Sequence, residues 1–174
     1  MKKIINNPND VVKEMLQGMA KSDPSIRYIA DSDIIVRSQK ADKVGILTGG
    51  GSGHEPAHAG YVGYGMLDAA VAGNVFASPG CDAVERGIHE VDSGKGVLMI
   101  IKNYSGDIMN FQMAKELAEL DGIDVDYVIV KDDVAVPDST YSAGRRGIAG
   151  TVFVHKIAGA KAEAGASLPE VKAI

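Results

Sequence analysis

The chain has 174 residues, a length that suits a single domain whose core needs no disulfide or metal to be stable. Hydrophobic residues make up 45% and charged residues 24%, as in an ordinary globular protein, and the formal net charge of −5 argues against nucleic acid or an anionic membrane as the main partner. Cys81 is the only cysteine, which excludes an internal disulfide. The sequence shows no signal-like or membrane-spanning apolar stretch, and we expect a cytoplasmic protein.

Helices and strands are predicted in alternation along the chain. Apolar residues at helical spacing predict a first helix over residues 8–20, and β-branched clusters predict two short strands between residues 26 and 38. Two further helices are predicted at 81–93 and 106–121. Short apolar runs typical of strands occupy residues 43–48, 67–73, 96–103 and 125–132.

This alternation predicts an α/β fold with three layers, α/β/α, and a mostly parallel sheet. Strands that are apolar on both faces and separated by helices are typical of a parallel sheet covered on each side. Ligands bind such folds beyond the carboxyl ends of the strands. The glycine-rich segment "GGGSGHEP" follows the run at 43–48, and "KNYSGD" follows "GVLMII", so we expect both loops at the same edge of the sheet.

The C-terminal part predicts two more helices, one over residues 145–165 in spite of its glycines and one beginning in "ASLPEV". A long polar loop, residues 132–147, precedes them. Its Arg145 and Arg146 fit equally well an anion site at a helix start and ordinary surface cations.

The glycine run and the histidine that follows it are the first candidate site. The glycines of residues 49–53 can leave their N–H groups open to a phosphate or a small polyol, although a sharp turn would explain the same run. His54 favours a functional site, because histidine exchanges protons near neutral pH, and Glu55 or a more distant acid is a candidate for setting its tautomer. "HEPAH" resembles the zinc motif H-E-x-x-H in spelling, but Pro56 excludes the continuous helix that this motif needs, so no metal is expected.

The segment "IKNYSGD" is the second candidate site. Lys102 and Asp107 fit ligand contacts at the end of the most apolar strand. The alternative is that Lys102 is a solvated strand end and that Ser105 or Asp107 caps the helix that follows, although an aspartate can both cap a helix and bind a hydroxyl. His89 and His155 lie within helical patterns and suit packing or surface roles.

Three long motifs, in order along the chain, resemble the substrate-binding subunit of dihydroxyacetone kinases. They are "GGGSGHEPAHAGYVGYGMLDAAVAGNVFASP", "GVLMIIKNYSGDIMNF" and "DDVAV…YSAGRRGIAGT". The resemblance extends from Met1 to about residue 170. It implies dihydroxyacetone binding and a part in its phosphorylation. It also implies that His54 and Asp107 act in proton transfer. The residues implied to bind substrate are Gly51, Ser52, Gly53, His54, Lys102 and Asp107.

The same resemblance implies the partners. Phosphate is expected from a separate nucleotide-binding subunit, supplied ultimately by the phosphoenolpyruvate phosphotransferase system or by ATP. We therefore expect nucleotide and Mg²⁺ on that subunit and no cofactor on this chain. Full-length members of the family are expected to form homodimers.

The sequence departs from the family in one respect. The second half of the family's proteins supplies a histidine that forms a hemiaminal with the substrate, and this histidine has no counterpart in these 174 residues. Residues 1–174 are thus expected to be the N-terminal domain of such a subunit, inactive in normal phosphotransfer when alone. The alternative is a paralogue that senses dihydroxyacetone and acts as a coactivator of a transcription regulator. Retention of His54, Lys102 and Asp107 favours the kinase, although a sensor could keep the same ligand contacts.

Overall fold

A computed structural model describes residues 2–135 and 144–174. After a 3₁₀ turn at Pro8–Asp10, the helices are α1 (Val11–Ser22), α2 (Cys81–Val91), α3 (Ser105–Leu120), α4 (Thr151–Glu163) and α5 (Leu168–Ala173). The strands are β1 (Ile26–Ile29), β2 (Ile34–Arg37), β3 (Gly45–Ser52), β4 (Ala69–Val75), β5 (Val97–Lys102) and β6 (Val125–Val130). Among the described residues, no helix is long and apolar enough to cross a membrane.

The six strands form one sheet in the order β1-β2-β4-β3-β5-β6. Strands β4, β3, β5 and β6 are parallel neighbours, and the β1–β2 hairpin adds antiparallel strands at one edge. Every residue of β5 is buried, as expected for a central parallel strand covered on both faces. The predicted mostly parallel sheet is confirmed.

Helices cover both faces of this sheet and form two separate cores. On one face, Leu16 of α1, Ala162 of α4 and Leu168 of α5 pack against the sheet. On the other face, Ile88 of α2 and Phe111 of α3 do so. The predicted three-layer α/β/α architecture is therefore confirmed.

The glycine run differs from its prediction, because its first four residues continue β3 rather than form a loop. Gly49, Gly50 and Gly51 pair with Val71, Ala72 and Gly73 of β4. A side chain at Gly49 would place its Cβ 3.0 Å from the Phe111 ring, so glycine lets the strand run on beneath α3. The loop at the carboxyl end of β3 begins only at Gly53.

Helix α4 begins at Thr151, so the predicted start at residue 145 is wrong. Gly150 N donates a 2.8 Å hydrogen bond to Asp132 Oδ2, and a Cβ at Gly150 would lie 2.6 Å from the Asp132 side chain. The chain thus wraps the Asp132 carboxylate before the helix starts. Helix α5 begins as predicted, with a capping box formed by Ser167 and Glu170. The middle of the predicted loop at 132–147, residues 136–143, lies outside the described residues.

Candidate functional site

The carboxyl ends of the parallel strands β3, β4 and β5 surround a cleft of about 170 Å³. Its lining is Gly51, His54, Phe76, Lys102, Tyr104, Asp107 and Ile148. The glycine-rich segment and "KNYSGD" therefore meet at one edge of the sheet, as the sequence predicts. Four of the predicted site residues, Gly51, His54, Lys102 and Asp107, line this single cleft.

Lys102 is the last residue of β5 and is only 2% exposed. Its Nζ donates a hydrogen bond to Gly49 O and lies 3.4 Å from Asp107 Oδ2. Burial lowers the pKa of Lys102 from its ordinary value, while the Asp107 carboxylate opposes that change. The alternative interpretation of Lys102 as a solvated strand end is wrong.

Asp107 lies in the first turn of α3 and is 3% exposed. Its Oδ1 accepts a hydrogen bond from Ser78 Oγ, and its Oδ2 faces Lys102. The N-cap residue of α3 is Tyr104, so neither Ser105 nor Asp107 occupies the cap position. The carboxylate is held at the cleft from two sides, by a hydroxyl and by an ammonium group.

His54 lies at the mouth of the cleft, half-buried, on the loop after β3. Its ring packs edge-on against Phe76, with centroids 5.1 Å apart and planes inclined by 70°. The Glu55 carboxylate, a candidate for setting the His54 tautomer, instead accepts a 2.9 Å hydrogen bond from Gly53 N. An aromatic ring therefore orients this imidazole in the structure.

Ser52 and Gly53 lie beside the cleft and are not part of its lining. The Ser52 hydroxyl is buried and donates a 2.8 Å hydrogen bond to Gly73 O, which ties β3 to β4. Gly53 is exposed, with φ 111°, and a Cβ there would lie 2.9 Å from the Phe76 ring. Substrate contacts by these two residues stay a prediction.

Arg145 and Arg146 precede α4 by several residues and so do not start that helix. The Arg146 guanidinium lies 5.6 Å from the centroid of the Tyr104 ring, a cation–π contact. Arg145 O accepts a 2.7 Å hydrogen bond from Asn103 Nδ2. Both contacts bring this segment to the rim of the cleft, where Tyr104 also lies.

The remaining single-residue predictions have simple outcomes. Cys81 is the first residue of α2 and is a free thiol. His89 is a surface residue whose Nε2 lies 3.2 Å from Asp121 Oδ2. His155 is fully buried and therefore packs inside the protein. The segment "HEPAH" is not helical, in agreement with the rejection of a zinc motif.

Sequence reasoning missed the segment after β4, residues 76–78. It contributes Phe76 to the cleft and the Ser78 hydroxyl to Asp107. Phe76 has a left-handed backbone, with φ 55°, and its N–H donates a 2.8 Å hydrogen bond to Ser52 O. The signal was available, because "FASPG" follows a strand of the parallel sheet and must lie at the same edge as the other two segments.

A family model described as the Dak1 domain matches residues 17–174. The chain belongs to the Dak1 domain family. One relative is the dihydroxyacetone-binding subunit DhaK of a PTS-dependent dihydroxyacetone kinase from Listeria innocua. The two sequences are 56% identical over 176 residues, and the match covers 100% of this chain and 54% of that subunit. The DhaKLM operon coactivator DhaQ from Lactococcus lactis is 43% identical over 171 residues, covering 98% of this chain and 52% of the coactivator.

The fold of this Dak1 domain also matches a solved structure. The crystal structure of the dihydroxyacetone kinase from C. freundii in complex with AMP-PNP and Mg²⁺ has a TM-score of 0.92 at 42% identity, covering 99% of this chain and 33% of that one. The chain spans about half the length of the curated relatives it matches.

Proposed function

We propose that this chain binds dihydroxyacetone as the substrate-binding part of a dihydroxyacetone kinase. The observation that carries the proposal is the buried Lys102–Asp107 pair in a cleft that His54 also lines. At about 170 Å³ the cleft is smaller than the roughly 300–1,000 Å³ of typical drug-sized pockets and suits a three-carbon ligand. The names of the Listeria and C. freundii relatives support this choice of ligand.

The cleft would contribute the groups on this chain that bind and deprotonate a hydroxyl substrate for phosphoryl transfer. This reaction depends mainly on positioning and on charge stabilisation. Asp107 and Lys102, whose side chains are fixed by burial, would bind the substrate hydroxyls and hold the ligand. His54, half-exposed at the mouth, would accept the proton of the attacking hydroxyl. Gly51 would bring the backbone close to the ligand.

The phosphate would come from outside this chain. A separate nucleotide-binding subunit would carry the nucleotide and Mg²⁺. The phosphoenolpyruvate phosphotransferase system would rephosphorylate that bound nucleotide, or ATP would serve directly as the phosphate donor. The word "PTS-dependent" in the Listeria relative's name supports the first route. A cytoplasmic location and a homodimer stay predictions from the sequence.

A second candidate function is dihydroxyacetone sensing without catalysis. It is supported by the Lactococcus coactivator, which is 43% identical to this chain. To discriminate, the chain would be combined with the second half of the Listeria relative and with a nucleotide-binding kinase subunit. Dihydroxyacetone phosphate detected by ³¹P NMR would identify the kinase. Ligand binding without product would identify the sensor.

Ligand binding itself is tested by calorimetric titration of the 174-residue chain with dihydroxyacetone. We expect saturable binding that weakens at least tenfold in Lys102→Met and in Asp107→Asn. Gly63→Ala is the control, because a Cβ at Gly63 meets nothing within 4 Å. Equal affinity of Lys102→Met and the unchanged chain would contradict the proposal.

A further inference from the structure

Two arginines of the chain lack a carboxylate partner, and both lie at the rim of the cleft. The other three, Arg27, Arg37 and Arg86, form ion pairs with N···O distances of 2.6, 2.9 and 2.7 Å. Neither Arg145 nor Arg146 makes an ion pair with a residue that the structure describes. The two uncompensated guanidinium groups are therefore placed together beside the candidate site.

The Arg146 guanidinium is held against the wall of the cleft. Its Cζ lies 5.6 Å from the centroid of the Tyr104 ring, and Tyr104 is itself part of the cleft lining. Ile148, two residues further along the chain, also lines the cleft. A cation–π contact positions a guanidinium without neutralising its charge, so the N–H groups of Arg146 stay available to an acceptor.

The backbone on either side of Arg146 is anchored. Before it, Arg145 O accepts a 2.7 Å hydrogen bond from Asn103 Nδ2. After it, a Cβ at Gly147 would lie 2.5 Å from Asp132 Oδ1, so glycine lets the chain pass close to this carboxylate. Asp132 Oδ2 accepts its hydrogen bond from the backbone, at Gly150 N, and not from a guanidinium. A side chain fixed in this way loses little freedom when a ligand binds.

The charges inside the cleft suit a neutral ligand better than an anion. Lys102 Nζ lies 3.4 Å from Asp107 Oδ2, so the buried ammonium is already compensated. Dihydroxyacetone is neutral, but a phosphate monoester carries a charge of about −1.5 to −2 at pH 7. Such a group needs a further cation, and arginine binds phosphate oxygens through two parallel N–H donors.

We propose that Arg146 binds the phosphate of the phosphorylated ligand at the mouth of the cleft. His54, the proposed base, and Tyr104 line the same cleft of about 170 Å³, so the hydroxyl that receives the phosphate lies near both. The ligand class is the phosphate monoester of a three-carbon ketose, an identity that rests on the proposed function. Arg145 contributes its carbonyl to the anchor. Of the two interpretations of this arginine pair, this proposal selects the anion site.

Calorimetric titration of the 174-residue chain with dihydroxyacetone and with dihydroxyacetone phosphate separates the two sets of contacts. Arg146→Gln should bind the phosphate ester at least tenfold more weakly and bind dihydroxyacetone as the unchanged chain does. Arg146→Lys should recover part of the lost affinity. Arg86→Gln, which removes the same charge from α2, is the matched control. Equal affinity of Arg146→Gln and the unchanged chain for the ester, or an equal loss for both ligands, would overturn the proposal.

A nucleotide offers the same phosphate chemistry, so ADP is titrated in parallel. We expect ADP to bind the unchanged chain and Arg146→Gln equally weakly, because this cleft is too small for a base and a ribose. An affinity for ADP that depends on Arg146, with unchanged affinity for dihydroxyacetone phosphate, would assign the guanidinium to the nucleotide and overturn the proposal.

Inorganic phosphate is the probe that does not depend on the proposed function. In ¹H–¹⁵N NMR spectra, the Nε–H resonance of Arg146 should shift saturably as phosphate is added, while that of Arg86 stays in place. No shift of the Arg146 resonance at millimolar phosphate would overturn the proposal even if dihydroxyacetone binds. If dihydroxyacetone does not bind the unchanged chain, the proposed function fails, whereas the phosphate titration still decides whether Arg146 is an anion site.

Discussion

Lys102 Nζ and Asp107 Oδ2 lie 3.4 Å apart, one at the end of β5 and the other in the first turn of α3. Both side chains are almost completely buried. Each therefore depends on the other, because a buried charge without a partner is costly. Gly49 O and the Ser78 hydroxyl complete the pairing, so the two groups are fixed before any ligand arrives.

Lys102→Met should destabilise the protein by about 3 kcal/mol, because it leaves Asp107 buried without its counter-charge. Urea unfolding followed by circular dichroism measures this change. Asp107→Asn should also destabilise, and the double variant Lys102→Met/Asp107→Asn should be more stable than the sum of the two losses implies. Strict additivity would show that the two groups do not interact.

Gly50→Ala should abolish ligand binding while the protein stays folded. Gly50 has φ 151°, and an added Cβ would come within 2.6 Å of Lys102 Nζ and 3.2 Å of Asp107 Oδ2. The ammonium would have to move. Calorimetric titration with dihydroxyacetone measures the effect, and Gly63→Ala is the matched control in open space. Unchanged affinity in Gly50→Ala would refute the assigned position of Lys102.

Phe76→Ala should weaken dihydroxyacetone binding about tenfold, since an aromatic pair contributes roughly 1 kcal/mol and His54 would lose the ring that orients it. The His54 ring-proton resonances should shift as well, because the neighbouring ring current disappears. Phe153→Ala, at a residue that is 66% exposed, serves as the control. If His54 resonances and affinity both stay unchanged, Phe76 does not orient His54.

Stability should fall as the pH drops below about 6.5. Burial, and then the Lys102 charge, lower the pKa of His58, and they lower that of His155 to about 3. Below pH 6.5 the two histidines bind protons in the unfolded chain but stay neutral in the folded protein. The free energy of unfolding is therefore highest above pH 6.5 and decreases towards pH 3. For each histidine, the free energy of unfolding changes by at most about 1.4 kcal/mol per pH unit.

Urea unfolding between pH 7.5 and 5.5 measures this slope, in a range where most carboxylates stay ionised. The His58 and Tyr61 rings pack against His155, and the Lys102 charge also lowers its pKa. His155→Leu should reduce the slope and His89→Leu should not. An equal slope in His155→Leu and the unchanged chain would show that His155 does not cause it.

Most of the architecture follows from local patterns in the sequence. Apolar runs such as "GVLMII" predict buried parallel strands, and the rule that ligands bind beyond their carboxyl ends brings His54, Lys102 and Asp107 to one edge. The Ser167–Glu170 capping box likewise marks the start of α5. These features depend on neighbours along the chain.

The rest depends on contacts between distant residues. Glycines predict a loop at residue 49, but pairing of Gly49 with Val71 keeps the strand going. The start of α4 is set by Asp132, which accepts a hydrogen bond from Gly150. The burial of Lys102 and of His155 follows from tertiary packing, and a local pattern does not distinguish either one from a surface residue.

The central claim is that the edge formed by β3 and β5 is a dihydroxyacetone site, and an amide NMR titration of the 174-residue chain with dihydroxyacetone tests it most directly. We predict saturable shifts confined to residues 49–55, 76–78 and 102–108, lost in His54→Ala and in Asp107→Ala. Shifts elsewhere in the protein, no shifts at millimolar ligand, or identical shifts in both variants would contradict the account.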